Sequence, residues 1–216
     1  TNWLKGKSIG VTFGTTGHYF IARYLGKLGL APKDVNLVNL APGDREQAFL
    51  RGDVAAVVTW PPPSNILGQR KMRLVTTGRR QGIAIPSAVV AQADYLAANR
   101  ETALRFLKLH FQLINMIRND PDKFVATQVK WFANKGIKQD PTFLKTFHTQ
   151  RIKYYNLHEQ IKSFSPVVNG LSPIGAAFHD MAAFFLQWED QSAKIPDFGK
   201  IVDAQVTLLR EVHSPG

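Results

Sequence analysis

The spacing of apolar and polar residues changes character along the chain. In the first part, short apolar runs bounded by turn residues alternate with helically spaced segments. Ser8–Phe13 is one such run, β-branched at Ile9, Val11 and Thr12 and closed by Gly14, and it reads as a buried strand. From Thr16 the residues Phe20, Ile21, Tyr24, Leu25 and Leu28 recur at helical intervals, so strand, Gly-Thr-Thr-Gly turn and helix follow with almost no spare residues. Gly26–Pro32 is a loop, with Gly29 as the helix C-cap. Val35–Leu40 is a second strand. A short helix then runs through Arg51, with Asp44 as N-cap and Gln47 completing a capping box, and ends at Gly52-Asp53. Val54–Thr59 is a third strand, with the continuous apolar character of one buried on both faces. The order β-α-β-α-β predicts an α/β fold with a parallel sheet.

Ser64–Gln69 reads as a short helix, Met72–Thr77 as a strand, Gly78–Gly82 as a loop and Ser87–Ala93 as a further strand. From Asp94 onward the pattern is almost wholly helical, with segments at Tyr95–Asn99, Glu101–Arg118, Pro121–Asn134, Pro141–Tyr155, Gly175–Trp188 and Lys200–Val212. The Glu101–Arg118 helix is apolar over more than half its circumference, which predicts burial on more than one side.

Composition narrows the chemistry. The 216 residues are 44% hydrophobic, enough for a sizeable core in one large domain or two small ones. A formal charge of +11 favours an anionic ligand or surface. The basic residues are dispersed, however, with no long basic run and no zinc-finger spacing, so nucleic acid is not expected as a partner. With no cysteine, the chain forms no disulfide, thiolate nucleophile or cysteine-ligated metal site. His110, His148, His158 and His179 scatter over the helices without H-x-x-x-H spacing and read as packing or surface positions, so no metal is expected. No apolar run reaches the roughly 18 residues of a spanning helix. The reading expects a soluble chain whose export signal, if it has one, was removed or lies upstream.

The candidate site follows from the strand ends, because open parallel sheets bind ligands beyond their carboxyl edges. There stand Gly14-Thr15-Thr16, Ala41–Asp44 and Thr59-Trp60. The first turn offers unpaired backbone N–H groups, the positive end of a helix dipole and threonine hydroxyls, a setting for an anion or carboxylate-like group. It carries neither a P-loop nor a G-x-G-x-x-G pattern, so a nucleotide phosphate is not indicated. Alternative roles stay open: Thr15 or Thr16 as a plain helix cap, Trp60 as a core or lid residue held by Pro61–Pro63, and Asp44 as a cap rather than a ligand contact. His18, in the first turn of the helix, is either a donor to a ligand oxygen or a surface position.

Three stretches carry a resemblance: L-K-G-K-S-I-G-V-T-F-G-T-T-G-H-Y, V-N-L-V-N-L-A-P-G-D and A-F-L-R-G-D-V-A-A-V-V-T-W-P-P. Together they resemble the second lobe of a type II periplasmic solute-binding protein, in the branch serving ABC importers for sulfonates, taurine, nitrate and thiamine precursors. The ending I-P-D-F-G-K-I-V-D-A-Q-V is similar to the last helices of that branch. The resemblance implies two α/β lobes, joined by crossover strands, that close on a ligand. Leu4–Pro86 would form the central lobe, residues 87–93 the returning crossover strand, and residues 94–216 a helix-rich part of the other lobe. The family's N-terminal segment has no counterpart among these residues, which predicts exposed apolar surface on the C-terminal helices. By position, the family's ligand contacts fall on Gly14, Thr15, Thr16, His18 and Trp60. Tryptophan, where amino-acid binders often carry a carboxylate, points toward an apolar tail or a small ring.

The function so implied is extracytoplasmic, periplasmic capture of a small anionic or aromatic solute, sulfonate-like above others. Delivery is to the membrane permease of an ABC importer, without cofactor, chemistry or catalytic residues. Two alternatives stand beside it. One is a ligand-sensing domain of a signalling protein. The other is an enzyme like the fungal pyrimidine synthases of the thiamine pathway, which share the fold but rely on a cysteine-rich motif that this chain lacks.

Overall fold

The computed structural model describes residues 2–60, 73–167, 170–187 and 194–212. The predicted helix Ser64–Gln69, the prolines 61–63, and residues Met72 and Trp188 lie outside the described residues. Two compact units divide the chain: one runs through Ile85 and takes in the C-terminal end of a late helix from Ala183, and the other comprises Pro86–Ala182 and the stretch from Lys194.

The first unit is built on a three-stranded sheet of order β2-β1-β3, with β1 at Ser8–Val11, β2 at Asn36–Asn39 and β3 at Ala56–Val57. Both pairings are parallel, with Ile9 opposite Leu37 on one side and Ala56 on the other. The central strand carries the apolar run that the sequence marked, and Ile9 and Val11 are buried against Ile21, Leu25, Leu30 and Val35. Helix α1, Thr16–Lys27, supplies Ile21 and Leu25 to that cluster. It ends in a Schellman turn, in which Leu30 N–H reaches Leu25 O, Gly29 N–H reaches Gly26 O, and Gly29 takes φ +71°. The C-cap itself is Leu28, one residue before the predicted glycine.

Helix α2 spans Pro42–Arg51, and its start corrects the sequence reading. Ala41 is the N-cap, Pro42 takes the first helical position, and no side-chain capping bond forms. Proline's fixed φ suits that position, so the helix begins before Asp44 and the predicted capping box is absent. Strand β3 is also shorter than predicted. It lies at the sheet edge with Ala55 exposed, although Ala55 N–H and Val58 N–H still donate to Ser8 O and Gly10 O at 2.9 Å. The predicted loop at Gly78–Gly82 contains a one-turn helix, α3 (Gly78–Gln81), capped by Thr77 Oγ1 accepting from Arg80 N–H.

The second unit is helical: α4 Ala93–Ala98, α5 Arg100–Asn119, α6 Pro121–Ala133, α7 Pro141–Thr146, α8 Leu157–Phe164, α9 Pro173–Leu186 (up to Ala182), α10 Phe198–Ile201 and α11 Val206–Glu211. Proline at the first helical position and an aspartate cap start both α6 and α7, with Asp120 accepting from Lys123 N–H and Asp140 from Thr142 N–H. The predicted strand over 87–93 forms no ladder among the described residues. Its valines stand in solvent, Val90 at 88% exposure, and the run leads directly into α4. The predicted Pro141–Tyr155 helix breaks after Thr146 into a π-turn at Phe147–Arg151 and an extended segment, where β-branched Ile152 and the tyrosines disfavour helix. Helix α8 then starts from a capping box: Asn156 Oδ1 accepts from Glu159 N–H at 2.9 Å, and Glu159 Oε2 accepts from Asn156 N–H at 2.8 Å.

Helix α5 is buried along one stripe, not on several sides. Phe111 and Ile114 pack with Leu209 of α11, while Phe106, Leu109 and Leu113 face solvent, Leu109 at 65% exposure. The apolar surface expected on the C-terminal helices is therefore present on α5. His148 is buried, with Nδ1 against Tyr154 Oη at 2.6 Å and Nε2 against Gln128 Oε1 at 2.9 Å. No helix among the described residues is long and apolar enough to cross a membrane.

Candidate functional site

Three strand ends meet beyond the carboxyl edge of the sheet. The turn leaving β1 is held from both sides. Thr12 Oγ1 donates to Leu40 O at 2.6 Å, and Phe13 N–H donates to Asn39 Oδ1 at 2.9 Å, which ties the end of β1 to the end of β2. Gly14 takes φ +69°, a conformation glycine adopts without steric cost, and it is exposed at the tip of the turn. Thr15 is the N-cap of α1 by backbone geometry. Its hydroxyl does not cap the helix, however, but donates to Thr12 O at 2.6 Å. Thr15 O takes the N–H groups of both His18 and Tyr19, while those of Thr16 and Gly17 have no acceptor among the described residues. Two amides at the start of a twelve-residue helix are thus left unpaired, that of Thr16 half-buried and that of the buried Gly17 lying under the Trp60 ring.

Trp60, just beyond β3, lies over this turn. Its indole N–H donates to Thr16 Oγ1 at 3.1 Å, and its ring passes so close to Gly17 that a Cβ there would stand 3.4 Å from it. With its oxygen accepting from Trp60, the Thr16 hydroxyl keeps its own proton to donate. Trp60 is 39% exposed, and one face of its ring is covered.

The covering group is Arg45 of α2, a residue the strand-end reading missed. Its guanidinium carbon lies 4.8 Å from the Trp60 ring centroid, and Nη1 donates to Thr12 Oγ1 at 3.1 Å. Arg45 is only 1% exposed. Burial lowers its pKa, with the neighbouring Glu46 carboxylate opposing the shift. Glu46 itself accepts from the Thr59 hydroxyl at 3.2 Å. The signal for Arg45 is present in the sequence, because Arg45, Ala48 and Phe49 share one face of α2 and Ala48 is buried.

The other predicted positions lie apart from this group. His18 is wholly buried, its ring stacked on Phe13 at 4.5 Å and meeting Phe184 edge-on at 5.3 Å. Burial lowers its pKa and favours the neutral imidazole. It supports the turn from beneath, at neither a surface nor an open ligand face. Asp44 sits exposed in the first turn of α2, where a carboxylate complements the helix dipole. Among the described residues no group of three or more His, Cys, Asp or Glu could hold a metal ion.

The chain is α/β, with a parallel sheet in one unit and helices in the other, and its structural neighbours show the fold to be that of type II periplasmic binding proteins. The chain belongs to the NMT1-like family, whose model matches residues 1–133. It is similar to a Brachyspira hyodysenteriae protein provisionally described as an ABC transporter periplasmic binding protein, at 22% identity over 133 residues, 62% of this chain and 38% of that protein. It is also similar to the taurine-binding periplasmic protein of Escherichia coli, at 34% identity over 79 residues, 37% of this chain and 24% of that one. The crystal structure of the periplasmic aliphatic sulphonate binding protein SsuA from Escherichia coli superposes with a TM-score of 0.71 at 20% identity, covering 92% of this chain and 59% of that one. The chain therefore spans less than half the length of these two sequence relatives and about three fifths of that structure.

Proposed function

We propose that this chain carries the ligand-binding part of an extracytoplasmic solute-binding protein that captures a small organic anion, a sulfonate in first place, for an ABC-type importer. The reading rests on one observation above the rest: the unpaired Thr16 and Gly17 amides and the Thr16 hydroxyl lie together at the start of α1, beside the Trp60 ring. Such donors recognise negative oxygen, and a ring edge beside them accommodates a short apolar substituent. Relatives named for periplasmic, taurine and sulphonate binding support the class. Gly14, Thr15, Thr16 and Trp60 form the ligand face, His18 packs behind it against Phe13, and Asp44, exposed in the first turn of α2, takes no part in it. Capture is non-covalent, and the solute passes to a membrane permease on the outer side of the cytoplasmic membrane.

The test is a thermal-shift screen of the full-length protein against alkyl and aryl sulfonates, taurine, nitrate, bicarbonate, aromatic carboxylates and aminopyrimidines. A ligand that binds the folded state raises the melting temperature by mass action. The reading expects sulfonates to give the largest shift, abolished in a Thr16→Val, Trp60→Ala double variant. A well-folded protein that responds to none of these compounds refutes it.

A further inference from the structure

Arg45 is anomalous. A guanidinium that is 99% covered is ordinarily neutralised by a carboxylate, because burying an isolated charge is expensive. Arg45 has no carboxylate within 4 Å among the described residues, and the one charge that bears on it, Glu46, is engaged by Thr59. Among the described residues only Nη1 is hydrogen-bonded, to Thr12, and the buried Nε has no acceptor there. The guanidinium also lies over the face of Trp60. A net positive charge is thus held dry behind the indole whose N–H is aimed at Thr16.

We propose that Arg45 is the counter-charge for the ligand's anionic head, and that it sets the site's preference for anions over neutral analogues. The inference rests on the solute-binding reading above and adds to it the residue that carries charge selectivity. Arg45 acts across the indole. A cation against the ring face makes the indole N–H a stronger donor to Thr16 Oγ1, and the polarised Thr16 hydroxyl becomes a stronger donor to a ligand oxygen. The head group therefore meets two unpaired amides and one activated hydroxyl, with a full positive charge behind the hydroxyl. Without ligand, the buried cation lacks an ionic partner. With it, the negative oxygens supply one in a region where little water screens the attraction.

The experiment compares full-length wild type with Arg45→Met and Glu46→Gln. Isothermal titration calorimetry measures ethanesulfonate and its neutral analogue ethyl methyl sulfone, and thermal melts are recorded without ligand. Arg45→Met is expected to weaken ethanesulfonate at least tenfold, leave the sulfone nearly unchanged, and keep or raise the ligand-free melting temperature, because an unpaired buried charge has been removed. Glu46→Gln, which keeps an acceptor for Thr59 while deleting the opposing charge, is expected to tighten ethanesulfonate two- to fivefold. An Arg45→Met protein that binds ethanesulfonate within twofold of wild type overturns the proposal. So does one whose affinities for sulfonate and sulfone fall equally, since that marks loss of shape rather than of charge. Should Arg45→Met not fold, Glu46→Gln decides, and unchanged or weaker binding in it overturns the proposal. A wild type that binds neither ethanesulfonate nor any other anion of the thermal screen overturns the solute-binding reading, and this proposal with it.

Discussion

Replacing Trp60 separates its contributions, because each of its contacts belongs to a different part of the side chain. Trp60→Phe deletes the N–H donated to Thr16 Oγ1 at 3.1 Å while keeping an aromatic face over Arg45. One neutral hydrogen bond contributes about 0.5–1.5 kcal/mol net, so ligand affinity should fall by about two- to twelvefold. Trp60→Ala removes the ring as well. It loses the cation–π contact, about 0.5–2 kcal/mol depending on desolvation, and the apolar wall beside the head group. The expected total loss is about 1–3 kcal/mol of binding free energy, or roughly five- to 150-fold in Kd. Folding stability should move less than the ring's coverage suggests, because removing the indole admits water to a guanidinium that is 1% exposed and relieves its desolvation. Calorimetry on folded variants with the best ligand from the thermal screen measures both steps. Affinity within twofold of wild type in Trp60→Ala would remove Trp60 from the site. Equal losses in the two variants would assign the whole effect to the N–H.

Three further outcomes are expected. His18, His110 and His148 all have pKa values lowered from 6.5 by burial, so the unfolded chain takes up protons first as pH falls. Their contribution to stability is full above pH 6.5 and declines below it, until the folded imidazoles titrate. Urea melts from pH 5 to 8 should show stability rising through that window, with a shallower rise in His18→Phe; a wild-type slope of opposite sign would contradict the assignment. Asn156→Ala breaks the capping box of α8 and should cost about 1 kcal/mol in denaturant titration, and a cost near zero would mean that packing alone holds that helix. Leu25→Ala deletes a fully buried side chain from the cluster around β1 and should cost about 2–5 kcal/mol, whereas a loss under 1 kcal/mol would indicate a core that collapses around the gap.

What was legible in the sequence was local. The β1 turn and α1 could be placed because strand period, glycine turn and helical spacing abut without slack, and the capping prolines of α6 and α7 marked their own starts. What failed depended on partners. An apolar stretch such as 87–93 is a strand only if another strand pairs with it, and none of the described residues does. The Glu101–Arg118 pattern reported how apolar α5 is but not how many neighbours it has, so Phe106 and Leu113 were assigned a burial they lack. Helix α8 was missed although Asn156 and Glu159 spell its capping box, because the helix predicted from Pro141 had absorbed the approach to it.

The site divides along the same line, and one helix start decides much of it. Thr16 and Trp60 could be found from strand ends alone, because a parallel sheet places them there whatever surrounds it. The burial of His18 was not legible because part of its environment comes from Phe184, far along the chain. Arg45 was missed for a subtler reason. With Asp44 as N-cap, Arg45 is the first residue of a helix, at an end where a long cation would ordinarily swing into water. With Pro42 at the first helical position, Arg45 lies a full turn inside, its N–H on Ala41 O at 3.0 Å, and its side chain is committed to the face shared with Ala48 and Phe49. The sheet end and the indole then close over it. A proline that starts a helix three residues early thus converts a surface charge into a buried one, and a buried charge with no carboxylate within 4 Å among the described residues is the feature of this chain that most calls for an anion.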